Sequence, residues 1–105
     1  MHNWDKIMKE AQRLADQFLR FGVDLGEAEK LLNYFIYKDF DSNAVSKYLA
    51  LMSKNPPPRS KKSQKHFQNL KQIWDEWETN LEGQDKARAW GWGVREARAR
   101  RGGRR

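Results

Sequence analysis

Apolar residues recur at helical spacing along most of the chain. Trp4, Ile7, Met8, Ala11, Leu14, Ala15, Phe18 and Leu19 advance in steps of one, three and four, which predicts a helix over roughly 4–21. Asn3 stands where a cap is wanted, and Gly22 follows as a stop. A second helix is expected from about Glu27 to Tyr37; its Leu31, Leu32, Tyr34, Phe35 and Ile36 are apolar on more than one side. A third, capped by Asp41 or Ser42, is built on Ala44, Val45, Tyr48, Leu49 and Met52. Asn55-Pro56-Pro57-Pro58-Arg59 then breaks the pattern, because consecutive prolines favour an extended linker. Ser60 is the expected cap of a fourth helix. Its seam of Phe67, Leu70, Trp74, Trp77 and Leu81 has Ile73 beside it and Gly83 as its stop. A fifth helix is expected from about Asp85 to Ala99, with Ala87, Trp90, Val94 and Ala97 on one face.

No segment alternates as a half-buried strand does, and there is no internal repeat. The reading is all-α: a single-domain irregular bundle of about five helices over residues 1–99, with a disordered basic tail at 100–105. No apolar run is long enough to span a bilayer, so no membrane role is expected. Met1-His2-Asn3-Trp4-Asp5 lacks a basic region followed by an apolar run, so no signal peptide is expected, and cytoplasm is the default location. The absence of Cys excludes disulfides and thiolate metal sites.

Charge changes the picture more than composition does. The net charge is +7, yet residues 1–53 carry seven basic and eight acidic side chains, whereas residues 54–105 carry fourteen and six. All of the excess lies in the second half, which points to a polyanion such as nucleic acid. The alternative is a soluble protein with a basic end.

The fourth helix holds its charges in the order a helix macrodipole disfavours. Lys54, Arg59, Lys61, Lys62, Lys65 and Lys71 come first with no acid among them; Asp75, Glu76, Glu78 and Glu82 come last with no base. A phosphate at the N-terminal end would reverse that penalty, because the first helical N–H groups are unpaired and the dipole end is positive. Lys61, Lys65, Gln68 and Gln72 fall opposite the apolar seam, and the proline segment would present Arg59 beside them. His66 could donate to phosphate when protonated. Such contacts would position a backbone without reading its sequence. The competing reading is a solvated face with an accidental charge order.

In the fifth helix Trp92 lies about 200° round from Trp90, between Arg88 at i−4 and Arg95 at i+3. Three readings stay open for it: a ring that stacks on a base or ribose while the arginines hold phosphate, an anchor in a protein interface, or part of the core. Gly91 and Gly93 each cost roughly 1 kcal/mol relative to Ala in a helix, which a close backbone approach would explain.

No catalytic constellation is present. The only histidines are His2 and His66, and there is no Gly-rich phosphate loop and no metal-ligand spacing. The expectation is no enzyme, no cofactor and no metal. An all-helical ribonuclease assembled from Lys, Arg and His is a minor alternative.

Two segments resemble the small helical subunit of type III CRISPR–Cas effector complexes. Ser60-Lys61-Lys62-Ser63-Gln64-Lys65-His66-Phe67, continuing to Leu70 and Ile73, is similar to that family's Ser-Gln-containing helix start with basic and aromatic residues after it. Lys86 through Arg95, with Ala89-Trp90 and Gly93, is similar to its Lys-x-Ala-aromatic…Gly-Arg segment. The resemblance implies a divergent member that contacts the backbone of a CRISPR RNA–target RNA duplex, while base pairing supplies specificity and other subunits cleave. It implies that Lys61, Lys62, Lys65, His66, Arg88 and Arg95 face RNA. The second helix and Trp92 would meet other effector subunits or further copies of the chain. The rival expectations are a stand-alone DNA- or RNA-binding regulator, and a helical adaptor whose basic half binds an acidic protein.

Overall fold

The computed structural model describes residues 4–54 and 61–102, with the backbone alone at 61–63. The expected caps Asn3 and Ser60, the proline segment, Arg59 and the tail residues 103–105 lie outside the described residues. Five helices follow in chain order: α1 (Trp4–Phe21), α2 (Leu25–Tyr37), α3 (Ser42–Lys54), α4 (Lys61–Glu76) and α5 (Gly83–Gly102). The described residues form no strand.

Local chemistry sets the boundaries. Gly22 takes the left-handed conformation (φ 62°) and ends α1, with the N–H of Val23 donating to the Phe18 carbonyl at 3.1 Å. Asp24 caps α2 by accepting from the N–H groups of Gly26 (2.8 Å) and Glu27 (3.3 Å), so the helix starts at Leu25, two residues before the expected Glu27. Of the two caps proposed for α3, Asp41 does the work, accepting from Asn43 (2.9 Å) and Ala44 (3.3 Å).

α4 stops at Glu76, short of the seam's full length. Its last turn has no basic residue, and its end meets the acids Asp75, Glu76 and Glu78, which a C-terminal dipole end repels. Trp77 leaves the helix and still reaches the core, where its indole N–H donates to Glu10 Oε1 at 2.8 Å. Leu81 is likewise buried from a loop. Gly83, expected to end α4, opens α5 instead with φ 56°. At its other end α5 continues past Ala99 to Gly102, which corrects the expected start of the tail at Arg100. Arg100 pairs with Asp16 and Glu96, and Arg101 donates to the Val23 carbonyl at 3.2 Å. These partners hold the last turn to the bundle.

α1 and α5 run side by side in the same direction: Gly93 faces Ala11 and Leu14, and Arg100 reaches Asp16. The seam is made of small residues, with Ala11, Ala15, Ala89 and Ala97 fully buried. A Cβ on Gly93 would sit 3.0 Å from Leu14 Cβ and 3.2 Å from the Ala11 carbonyl oxygen, so the close backbone approach that explains this glycine is α1. α3 and α4 pack antiparallel, joined by the Tyr48–Phe67 edge contact at 6.3 Å and by Gln64 Nε2 donating to the Ser53 carbonyl at 3.1 Å. Aromatics fill the centre. Trp90 meets Phe18 (4.9 Å), Trp74 (5.2 Å) and Trp77 (5.8 Å), and its indole N–H donates to the Ala28 carbonyl at 2.9 Å.

Candidate nucleic-acid interface

The sequence-derived candidates fall in two places. The first is the N-terminal half of α4. Lys65, Gln68 and Gln72 form an exposed face at i, i+3 and i+7, opposite buried Phe67, Leu70, Ile73 and Trp74. Lys61 and Lys62 occupy the first turn; their side chains, like Arg59, lie outside the described residues. His66 is half-buried, and its Nδ1 is sequestered with no hydrogen-bond partner among the described residues. The bond between Gln64 and Ser53 joins the immediate neighbours of two exposed lysines, Lys65 and Lys54, so the basic end of α3 adjoins the basic start of α4. Among the described residues neither lysine forms an ion pair, whereas Lys71, farther along α4, is held by Asp75 at 2.6 Å.

The second place is the outer side of α5, against α2. Leu32 and Ile36 of α2 and Gly91, Trp92, Arg95 and Arg98 of α5 line an open groove of about 520 Å³, which Arg88 also borders. Trp92 is 37% exposed, so it is not core, while Ala87, Trp90, Val94 and Ala97 form the expected buried stripe. The Arg95 guanidinium lies 4.9 Å from the Trp92 ring centroid. Arg88 is held by Asp85 (3.1 Å) and Gln84 (3.4 Å) and lies 5.8 Å from the Trp4 ring. Arg98 pairs with Glu29 at 2.7 Å. Arg88, Trp92 and Arg95 therefore share a surface, and Lys65 and His66 share another. The first set borders the groove against α2, and the second lies on the helix that packs against α3.

A feature that sequence reasoning missed is Lys86. Its ammonium lies 4.5 Å from the Trp74 ring centroid and 5.2 Å from that of Trp77, and it donates to Ser42 Oγ at 2.9 Å. Burial pushes its pKa below the ordinary lysine value, and the charge of Glu10 opposes that shift. Only the i, i+4 relation of Lys86 to Trp90 was visible in the sequence; the cage is made by residues on other elements.

A second cavity of about 250 Å³ is lined by Glu10, Arg13, Leu14, Glu76, Trp77 and Glu78, among others. Among the described residues no group of three or more His, Cys, Asp or Glu converges as metal ligands would, and no helix is long and apolar enough to cross a membrane. No protein-family model matches the chain, and neither a curated protein nor a solved structure matches it. The likeness of residues 60–73 and 86–95 to type III small subunits has no counterpart in these comparisons.

Proposed function

We propose that this chain is a non-catalytic RNA-binding subunit that holds a phosphate backbone through the first half of α4 and the adjoining end of α3. The observation that carries the reading is that Lys54 and Lys65, both exposed, have no acidic partner among the described residues, while most cations of α5 are engaged within the fold. Cations without internal partners attract counterions, and releasing those counterions drives backbone binding. The finer assignment, to the small subunit of a type III CRISPR effector lying along the CRISPR RNA–target RNA duplex, draws its support from the two segments that resemble that family. Base pairing would supply the sequence specificity such a lysine face lacks.

The test has two parts. The affinity of the purified chain for an RNA duplex is measured across salt, for the wild type and for a Lys61→Glu, Lys62→Glu, Lys65→Glu variant. The variant should lose about two orders of magnitude in affinity and show a shallower salt dependence, at unchanged helicity. Unchanged affinity and slope would sink the backbone reading. The second part is a pull-down of the tagged chain from its native host. Recovery of short repeat-derived RNAs with large CRISPR subunits supports the finer assignment. A homodimer bound to one DNA site would replace it with a stand-alone regulator.

A further inference from the structure

We infer that the groove between α2 and α5 is a nucleotide site, in which Trp92 stacks on an unpaired base and Arg95 holds the adjoining phosphate. The inference rests on the proposed RNA-binding function and names a second contact within it, of different chemistry from the lysine face.

The groove combines three things a nucleotide needs. Its floor is apolar, formed by Leu32, Ile36 and Val94, and its volume of about 520 Å³ lies in the range of pockets that hold small organic ligands. Its wall is an indole with more than a third of its surface open. Its rim carries Arg88, Arg95 and Arg98, and Asp85 and Glu29 balance two of them, leaving one positive charge in excess. Within that rim the arginines are not equivalent. Arg98 is tied to Glu29 and Arg88 to Asp85, whereas Arg95 forms no ion pair among the described residues and lies over the Trp92 ring. Arg95 is therefore the cation able to turn to a phosphate without breaking an ion pair.

Gly91 lies in the groove lining, where the missing Cβ leaves room for the tip of the Leu32 side chain, 3.2 Å from where that Cβ would sit. An aromatic ring takes any base, because every base has a π-face, and the base must first be out of the helical stack. The site is thus selective for single-stranded or extruded nucleotides, where the α4 face is not. An acidic peptide is the competing occupant, since Trp and Arg also serve protein interfaces.

The deciding measurement uses two labelled single strands of equal length and charge, about twelve nucleotides long: oligoadenylate and the same backbone without bases. The full-length wild type should bind oligoadenylate about tenfold more tightly than the abasic strand. Trp92→Ala should erase that gap while keeping the abasic affinity, and Trp92→Phe should restore most of it. Because most of Trp92 is covered, Trp92→Ala should lower the melting temperature modestly, so all strands are compared well below it, and retained abasic affinity shows that the variant is folded. Equal binding of both strands by the wild type would overturn the groove and leave the backbone reading standing. A gap that persists in Trp92→Ala would also overturn it, by placing base contact elsewhere. Failure to bind either strand while the RNA duplex is bound would overturn the groove alone, and failure on all three would remove the backbone reading as well. Capture of oligoglutamate by the wild type but not by Arg95→Glu, with no gap between the strands, would make the groove a peptide site and overturn the assignment.

Discussion

Lys65 of α4 and Arg100 of α5 are both exposed cations on packed helices, yet they have opposite surroundings. Among the described residues Lys65 has no carboxylate partner, whereas Arg100 bridges Asp16 of α1 and Glu96 of its own helix, and these bonds hold its pKa above the usual arginine value. The contrast extends along each helix. In α5, Arg88, Arg98, Arg100 and Arg101 all have partners within the fold, and Lys86 is caged by two indoles. The start of α4 has no acid in its first turn, and the structure supplies Lys65 with none. Two basic helices therefore differ in what the charge is for. In α5, Arg98, Arg100 and Arg101 fasten the helix to the elements before it and, among the described residues, only Arg95 is left over, whereas at the start of α4 Lys65 faces outward. Net charge by itself overstates the surface offered to a polyanion.

The largest expected effect breaks the core on which both helices rest. Trp90→Ala should cost about 3–5 kcal/mol in chemical denaturation, because it removes a fully buried ring in contact with Phe18, Trp74 and Trp77. A loss of that size is a large fraction of a small domain's stability.

Next come the two glycines of α5, which sharpen the picture of that helix as a packing element. Gly93→Val should cost about 1–3 kcal/mol, because the new atoms meet the Leu14 side chain and the Ala11 carbonyl. Gly91→Ala should be neutral or stabilise by up to about 1 kcal/mol: its Cβ meets only the tip of half-exposed Leu32, and helix propensity improves. A comparable loss at both positions in urea melts would show that α2 constrains α5 as rigidly as α1 does.

A smaller effect addresses the comparison itself. Arg98→Gln with Arg100→Gln should lower stability by no more than about 1 kcal/mol, since all three ion pairs lost are largely solvent-exposed. The same double variant should change RNA affinity far less than the α4 lysine reversals. Equal losses of affinity would mean that α5's arginines exchange their internal partners for phosphate, and the division of labour would fail.

The smallest effect is a pH slope at Lys86. Burial disfavours its charged form, so the unfolded chain holds this proton more tightly than the folded one. Between the lowered folded value and the ordinary lysine value, stability should therefore rise with pH. Measured against Lys86→Met, the wild type should gain stability as pH rises toward the ordinary lysine value. A loss over that interval would show that the Trp74 and Trp77 faces and Glu10 outweigh desolvation.

Which parts of this were readable in advance follows from the range of the interactions. The five helices were legible because each buries a stripe set by local spacing, and Gly22 and Asp41 act within a turn of their own positions. Asp24 acts locally too, through the N–H groups of Gly26 and Glu27, and moves the start of α2 two residues ahead of the expected Glu27. The ends of α4 and α5 were misplaced because distant residues decide them: Glu10 draws in Trp77, while Asp16 and Val23 hold Arg100 and Arg101. At the candidate site, the 200° offset put Trp90 and Trp92 on different faces but left core, interface and stacking open for Trp92; the structure gives Trp90 as buried and Trp92 as partly open. What the offset could not show was the groove, because Leu32 and Ile36 come from α2. Nor could it show which arginines Asp85 and Glu29 had already engaged.

The parallel seam of α1 and α5 has a consequence for how the chain acquires its structure. Its outer contacts, Asp16 with Arg100 and Val23 with Arg101, join residues 84 and 78 positions apart. Helical proteins fold fast when their contacts are local, but here the first helix finds its main partner in the last. A nascent chain that has emerged only through α4 leaves Ala11, Ala15 and the α5-facing edge of Phe18 uncovered. Closure of the bundle must therefore wait for the last helix, and until then the α1 face is sticky surface for a chaperone or another chain.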